Sequence, residues 1–271
     1  MLRSLYSGVS GMRGFQTKLD VIGNNIANVN TIGFKAGRVM FKDILSQTVA
    51  GVTAPVEGEK GGVNAKQIGL GVTVSAIDTV HTPGSAMTTN VPTDLRIDGD
   101  GFFAVSPNGT TESMYLTRAG NFTVDASRQL VNADGQFVLS TDGGPITLGA
   151  DVTGFSISQN GEVLTTLSDG TTGNAGFVGI VKVTNPAGLE KVGGNLYRTT
   201  ANSNVDAAEI VAANDTTLGT GAIIAGQLEM SNVDLTSEFT EMIVAQRGFQ
   251  ANSRIITTSD EVLQEVVNLK R

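Results

Sequence analysis

The stretch from residue 5 to residue 29 reads LYSGVSGMRGFQTKLDVIGNNIANV and repeats its apolar residues every seven positions. The first row holds Leu5, Met12, Leu19 and Ile26, and the second, three residues later, holds Gly8, Phe15, Ile22 and Val29. Rows spaced in this way line one face of an α-helix, and only Gly8 interrupts the pattern. The residues that follow, Asn30-Thr31-Ile32-Gly33, are typical of a helix end.

The other end of the chain carries a second heptad pattern. Its main row holds Leu235, Met242, Phe249, Ile256 and Leu263, and its weaker row holds Phe239, Gln246, Ser253, Asp260 and Val267. Asp234 or Ser231 can begin this helix, because either side chain can accept a hydrogen bond from a free backbone amide of the first turn. The sequence therefore predicts a long helix at each terminus.

Two interpretations of these helices remain open. Each helix could lie with its apolar face on its own domain, since four or five heptads also occur in globular cores. Alternatively, the two helices pair as a coiled coil. Charge favours pairing: residues 1–42 hold six basic residues and one acidic residue, net +5, and residues 229–271 hold four basic and seven acidic residues, net −3.

The centre of the chain shows short runs rich in Val, Ile, Thr and Phe in place of helical periodicity. Turn dipeptides divide these runs, namely Asn108-Gly109, Asp134-Gly135, Asp142-Gly143, Asn160-Gly161 and Asp169-Gly170. Asn-Gly and Asp-Gly are the favoured dipeptides of type I′ β-hairpins. We therefore predict an α+β protein with an N-terminal helical arm over 1–42, a linker over 43–75, a central antiparallel, mainly β domain over 76–228 and a C-terminal helical arm over 229–271.

Composition excludes several classes of functional site. The 271 residues include no Cys and one His, His81, so the chain forms no disulfide, no thiolate metal site and no multi-histidine site. Asp94, Asp98 and Asp100 lack the glutamate that a calcium loop of the EF-hand type needs. A pI near 4.7 disfavours nucleic acid as a partner. No run of residues is apolar enough for membrane insertion or for a cleaved signal peptide. We expect no catalytic residue, no metal and no cofactor.

Several motifs resemble those of one protein family. Residues 19–35 read LDVIGNNIANVNTIGFK, and residues 228–252 read LEMSNVDLTSEFTEMIVAQRGFQAN. Both are similar to the terminal signatures of the bacterial flagellar hook and rod axial proteins, and Gly99-Asp100-Gly101-Phe102-Phe103 and Thr117-Arg118-Ala119-Gly120-Asn121-Phe122 are similar to motifs of their β domain. The motif residues carried over at the two termini are Asn24, Asn25, Ala27, Asn28, Thr31, Gly33, Phe34, Gln246 and Arg247.

The resemblance implies a structural subunit of the extracellular flagellum and not an enzyme. Such a subunit leaves the cell through the flagellar export apparatus without a cleaved signal peptide and polymerises into a helical tube. Its partners would be copies of itself and other axial proteins, namely those of the rod, the hook–filament junction and the hook cap. We expect the heptad residues of both arms to mediate helix pairing and assembly: Leu5, Met12, Phe15, Leu19, Ile22, Ile26, Val29, Leu235, Phe239, Met242, Phe249, Ile256 and Leu263.

Within the family the whole chain looks most like the short hook protein, whose tube joins the rod to the filament and transmits torque. The distal rod protein is the alternative, because its length and the segment from Phe41 to Val72 match equally well. An extracellular β-rich binding protein is the alternative from outside the family. It would need a cluster of converging polar residues, and the sequence offers none.

Overall fold

A computed structural model describes residues 2–55, 61–204 and 209–269. The chain divides into two compact units. The first unit combines Met1–Ala27, Gly37–Thr79 and Asp234–Arg271, and the second combines Asn28–Ala36 and Val80–Val233. The terminal helices thus belong to the first unit and most of the β-structure to the second, which confirms the predicted α+β class.

The first unit contains the two long helices and two pairs of strands. Its elements are α1 (Leu2–Ala27), β1 (Gly37–Asp43), β2 (Ser46–Ala50), β3 (Lys66–Gly69), β4 (Val72–Thr79) and α2 (Leu235–Asn268). The side chain of Asp234 caps α2 by accepting a hydrogen bond from the Thr236 amide at 3.0 Å, as predicted. Strand β1 pairs with β4 and β2 pairs with β3, both antiparallel. In the described part of the chain, neither helix is apolar enough over the length needed to cross a membrane.

Helices α1 and α2 pack antiparallel, and small residues lie where they touch. A Cβ atom added to Gly8 would lie 3.3 Å from Ile256, one on Gly11 would lie 2.7 Å from Asn252, and one on Gly248 would lie 2.6 Å from the Phe15 ring. Glycine is required at a close approach of this kind because it has no side chain to separate the helices. Gly8, Phe15 and Ile256 of the heptad rows lie at these contacts. Gly11, Gly248 and Asn252 lie there too and are outside the rows.

Further along the pair, polar contacts continue the same antiparallel alignment. Lys18 forms an ion pair with Glu241 at 3.0 Å, and the Asn25 side chain donates a hydrogen bond to Glu238 at 3.0 Å. The opposite charges of the two arms therefore meet at Lys18 and Glu241. This pair is exposed enough to contribute at most about 1 kcal/mol, so packing holds the helices together more than charge does.

Segment 37–79 differs from the predicted linker over 43–75, because it contains β1 to β4. Helix α1 ends at Ala27, three residues before the predicted helix end at Asn30-Thr31-Ile32-Gly33, and Val29 lies beyond the helix. The residues of β2 and β3 are all exposed, so neither face of this hairpin packs on a core. A strand pair without a buried face shows no alternation of apolar and polar residues, which is why the sequence predicted a linker here. Residues 56–60 of the predicted linker lie outside the described residues.

The second unit consists of short strands joined by turns. Its strands are β5 (Ala86–Thr88), β6 (Leu95–Asp98), β7 (Phe102–Ser106), β8 (Tyr115–Thr117), β9 (Thr123–Val124), β10 (Leu130–Val131), β11 (Phe137–Val138), β12 (Val152–Ile157), β13 (Glu162–Leu167), β14 (Thr172–Phe177), β15 (Ile180–Val181), β16 (Glu190–Gly193), β17 (Leu196–Arg198), β18 (Ile210–Val211), β19 (Ala222–Ala225) and β20 (Gln227–Glu229). Short 3₁₀ turns cover Thr111–Ser113 and Pro186–Gly188.

Pairing in this unit is antiparallel throughout the described strands. The main path runs β16-β17-β8-β7-β11-β10-β9, with β15 added to β7 and β18 to β15. Strands β12, β13 and β14 form a three-stranded meander, β19 pairs with β6, and β20 pairs with β5. All five residues of β7 are buried, and Phe103 packs edge-to-face on Phe122 with ring centroids 5.2 Å apart. The core of this unit therefore lies around β7.

The predicted turn dipeptides do form turns, but of another type. Gly135, Gly161 and Gly170 have φ values of +78°, +83° and +76°, whereas the residue before each of them keeps a negative φ. A type I′ turn requires positive φ at both central residues. In each case the glycine amide instead closes a turn onto the residue three before it, as in Gly161 to Ser158 at 3.0 Å. These are type I turns followed by a left-handed glycine, the three-residue hairpin loop.

The helix contact leads to a first prediction. In Gly248→Ala the added methyl group would clash with the Phe15 ring, so we expect the free energy of unfolding to fall by about 1–3 kcal/mol, as overpacking does elsewhere. Gly23 lies on the same helix pair and a Cβ there meets nothing within 4 Å, so Gly23→Ala should instead stabilise by about 0.5–1 kcal/mol. Urea unfolding of the full chain, followed by circular dichroism at 222 nm, measures both. Equal midpoints for the two variants would contradict the close helix contact.

Candidate functional site

The polar residues of the second unit converge on the buried carboxylate of Glu229. One oxygen of Glu229 lies 2.6 Å from the Lys35 ammonium group and accepts a hydrogen bond from the Gly84 amide at 3.0 Å. The other oxygen lies 3.3 Å from the guanidinium group of Arg118. The side chains of Lys35, Glu229 and Arg118 are 0%, 1% and 5% exposed. We call these three residues the buried triad.

Backbone carbonyl groups provide a further hydrogen-bond acceptor for each cation. Lys35 donates to the carbonyl oxygen of Thr82 at 2.8 Å, and Arg118 donates to that of Gly99 at 2.8 Å. Burial lowers the pKa of Lys35 and of Arg118, and the charge of Glu229 opposes that shift in both. Taking three charges out of water costs free energy that only close partners can offset, so the triad tolerates little displacement.

Asn232 and Gly33 tie further backbone segments to the triad. Asn232 accepts a hydrogen bond from the Ala36 amide at 2.8 Å and donates to the Val80 carbonyl at 2.9 Å. The Gly33 amide donates to the Glu229 carbonyl at 2.8 Å. Gly33 has φ +68°, and a Cβ atom there would lie 2.5 Å from the Ala119 amide nitrogen, so conformation and space both require glycine.

Motifs from the N-terminal segment, the β domain and the C-terminal segment therefore meet at the buried triad. We call this meeting point the junction. Residues 28–36 supply Gly33 and Lys35, residues 117–122 supply Arg118, and residues 228–233 supply Glu229 and Asn232. All five residues lie within the motifs of residues 19–35, 117–122 and 228–252, but only Gly33 was predicted as a site residue. The missed signal is three charged residues inside apolar and glycine-containing motifs, where an unpaired charge could not be buried.

Other motif residues hold local turns and helix ends. Asn25, on α1, is buried, and its side-chain amide both donates to the Gly37 carbonyl and accepts from the Gly37 amide, each at 2.9 Å. Thr31 donates to the Asn28 side chain at 3.1 Å. Phe34 is buried beneath the Lys191 ammonium group, which lies 5.2 Å from the ring centroid. Asn24, Ala27, Gln246 and Arg247 are exposed, so these four do not take part in the junction.

The heptad residues divide by exposure. Ile22 is buried, and half-buried are Leu5, Met12, Phe15, Leu19, Ile26, Val29, Met242, Ile256 and Leu263. Leu235, Phe239 and Phe249 are exposed, with 50% of Phe239 accessible to solvent. The face of α2 that touches α1 contains Ile256 of the main heptad row, together with Gly248 and Asn252, which lie outside both rows.

A surface cleft of about 610 Å³ lies beside the triad and includes His81, Asp100 and Arg118 in its lining. The His81 ring packs on Phe102 and Tyr197 with centroid distances of 5.7 and 5.5 Å. Burial, and then the positive charges of Lys35, Lys191 and Arg118, lower the pKa of His81 to about 4. Among the described residues, no group of three or more His, Asp and Glu side chains could hold a metal ion.

The buried triad leads to a second prediction. Glu229→Gln leaves Lys35 and Arg118 buried without a carboxylate, so we expect it to lower the free energy of unfolding by about 3–5 kcal/mol. Glu190→Gln is the matched control, because Glu190 pairs with Arg198 at 2.6 Å on the surface, where the loss should stay below about 1 kcal/mol. Urea unfolding followed by tyrosine fluorescence measures both. A Glu229 variant as stable as the Glu190 variant would contradict the role of the triad.

His81 leads to a third prediction. The folded state binds a proton on His81 only near pH 4, whereas the unfolded state binds one near pH 6.5. The unfolded state therefore gains protons first on acidification, and stability that is complete above pH 6.5 is lost as the pH falls towards 4. Between pH 7.5 and pH 5, the thermal midpoint should fall less for His81→Phe than for the natural chain. Equal losses would show that His81 is not responsible.

Comparison with known proteins places these features in a family. Residues 5–35 match the family described as flagella basal body rod protein, residues 96–165 match the flagellar hook protein FlgE/F/G D1 domain, and residues 224–269 match the flagellar basal body rod FlgEFG protein C-terminal family. These matches include the segments that meet at the junction, apart from the turn around Thr82.

Three relatives align along the whole chain. The flagellar basal-body rod protein FlgG of Bacillus subtilis is 55% identical over 271 residues and covers 100% of both chains. FlgG of Borreliella burgdorferi is 36% identical over 275 residues, and the flagellar hook protein FlgE of the same organism is 30% identical over 450 residues, again with both chains covered completely. These relatives are structural rod and hook proteins and not enzymes. The chain belongs to the FlgE/F/G family of structural proteins that build the axis of the bacterial flagellum.

Proposed function

We propose that this chain is a subunit of the distal flagellar rod that polymerises with copies of itself. The observation that carries the proposal is the 55% identity to the Bacillus subtilis rod protein FlgG from end to end at equal length. The sequence by itself favoured the hook. The hook proteins of Borreliella burgdorferi and Treponema pallidum are only 30% and 28% identical and align over 450 and 471 residues.

A hook subunit is the second candidate, and one observation favours it. The hook protein of Helicobacter mustelae is 51% identical to this chain over 139 residues, although these cover only 51% of this chain and 30% of that protein. A rod and a hook differ in shape: the rod is a straight shaft, whereas the hook is a curved tube that transmits torque. Shape of the polymer therefore distinguishes the two candidates.

The exposed apolar residues of α2 support assembly. Leu235, Phe239 and Phe249 are joined on the helix surface by Ile243 and Val244, which are also exposed. Burial of one such side chain stabilises a complex by about 1.5–3 kcal/mol. A helix that exposes so many apolar residues in a single chain is typical of an interface. In the polymer we propose that α1 and α2 form a coiled coil whose remaining heptad residues contact neighbouring subunits.

The remaining parts of the proposal rest on family membership. We propose that the chain is exported by the flagellar export apparatus without a cleaved signal peptide and joins other axial proteins, among them those of the rod, the hook–filament junction and the hook cap. The four-segment layout, with arms over 1–42 and 229–271 around a segment over 43–75 and a β domain over 76–228, stays part of this proposal.

Complementation in Bacillus subtilis tests the function. We expect this chain to restore motility and filaments in a strain that lacks FlgG and not in a strain that lacks the hook protein. Electron microscopy of the basal bodies should then show a straight rod. Rescue of the hook-deficient strain alone would favour the hook, and rescue of neither strain would contradict both candidates.

A surface variant gives the control for this experiment. Phe239→Ser removes an exposed apolar side chain, so the monomer should unfold at the same urea concentration while rescue of the FlgG-deficient strain is lost. Gln250→Ser changes an exposed polar residue of the same helix and should rescue normally. Full rescue by Phe239→Ser would show that this part of α2 is not an interface.

A further inference from the structure

A groove runs along α1 on the side away from α2. Tyr6, Val9 and Arg13 of α1 form one wall. The other wall is formed by Ile44 and Leu70 from the strand connections and by Val72 at the start of β4. The groove encloses about 460 Å³ and follows α1 from Tyr6 to Thr17. Tyr6 and Thr17 are eleven residues apart, which corresponds to a helical rise of about 16 Å.

Hydrogen bonds and close packing hold the strand connection of this groove against α1. The Val72 amide donates a hydrogen bond to the Ser10 hydroxyl at 3.3 Å, and that hydroxyl donates to the Ser7 carbonyl at 2.9 Å. Gly71 has φ +128°, and a Cβ atom there would lie 2.3 Å from the Ser10 hydroxyl oxygen. The strand connection therefore lies directly on α1, and the groove is formed before any partner binds.

A single basic residue marks the groove. Tyr6 and Ile44 are exposed, so the lining presents apolar surface to solvent. Arg13 is exposed and forms no ion pair with any residue in the described part of the chain. The groove is thus complementary to an apolar surface with a negative charge at its edge.

The C-terminal half of α2 carries a surface with these properties. Ile255, Val262 and Val266 are 43%, 45% and 51% exposed and fall on one side of the helix at spacings of seven and four residues. Glu261 and Glu265 border this stripe, are exposed, and have no ion pair within the described ranges. Ile255 and Val266 are eleven residues apart, the same helical length as the groove.

We propose that the groove of one subunit binds the stripe of Ile255, Val262 and Val266 of a second copy, with Arg13 facing Glu261 and Glu265. This inference rests on the proposed polymerisation and names the surfaces that would carry it. Matching length, apolar character and opposite charge support the pairing. Within one chain the groove lies on the face of α1 opposite Gly8, Gly11 and Phe15, which contact α2, so α2 of the same chain cannot occupy it.

The two surfaces also differ from each other, which decides the kind of assembly. A contact between two different surfaces is heterologous: a bound pair of subunits leaves one groove and one stripe free. Repetition of such a contact produces a ring or a helical polymer and not a closed dimer. The proposed contact therefore has the symmetry that an axial polymer needs.

Cysteine cross-linking tests the contact directly, because the natural chain contains no Cys. Val9→Cys and Val266→Cys are made in separate full-length chains, mixed, assembled and oxidised. Any disulfide between the two different variants must join two copies. We expect a cross-linked heterodimer as the main product on a non-reducing gel. A mixture of Val192→Cys and Val266→Cys is the control, since Val192 is 52% exposed, more than Val9 at 37%, but lies in the second unit, outside the groove.

Charge reversal provides a second measurement. Arg13→Glu should raise the concentration needed for polymerisation about tenfold, because like charges then face each other. Glu261→Arg and Glu265→Arg, introduced together into the Arg13→Glu chain, should restore polymerisation at the natural concentration. Lys66→Glu, a charge reversal on an exposed strand outside the groove, should leave that concentration unchanged.

The outcomes separate this inference from the proposed function. Polymers that form normally but give no Val9–Val266 cross-link, or that ignore the reversal at Arg13, would overturn the contact and leave the axial function intact. A natural chain that forms no polymer, and rescues no flagellar strain, would overturn the proposed function itself.

Discussion

The buried carboxylate of Glu229 is the constraint on which the second unit depends. It forms ion pairs with Lys35 and Arg118, which lie 194 and 111 residues away in the chain, and all three side chains are almost fully buried. A buried ion cluster of this kind is costly to break, because removal of one partner leaves the others charged and unsolvated. It therefore fixes the segment that follows α1 and the segment that precedes α2 on the same β-structure.

The helical unit follows a different principle. Its internal contacts use glycines at Gly8, Gly11 and Gly248, which allow a close approach with little apolar burial. Much of the apolar surface of α2 is left exposed, including Phe239 and Val266. One unit is thus closed by buried charge and a packed core, whereas the other keeps apolar surface available. That division supports the proposal that the helices contact neighbouring subunits.

Several features could be predicted from sequence because their causes are local. Heptad spacing located both helices, Asp234 was one of two residues predicted to cap α2, and glycine dipeptides marked the turns. Failures also had physical causes. The turn type depends on the φ of the residue before each glycine, which the dipeptide alone does not determine. Strands β2 and β3 were not predicted because neither of their faces is buried, so the sequence shows no alternation of apolar and polar residues there.

The sequence alone determined the fold class, the position of the two helices and the family, because periodicity and long motifs are written along the chain. Only the tertiary structure decided what those motifs do. Lys35, Arg118 and Glu229 appear in sequence as ordinary charged residues, and nothing local shows that they share one buried site. The tertiary structure also decided which side of each helix contacts the other helix, because that contact forms where glycine residues allow the two backbones to approach each other closely. Ion pairs and close helix contacts join residues that are distant in the sequence, so they exist only in the folded chain.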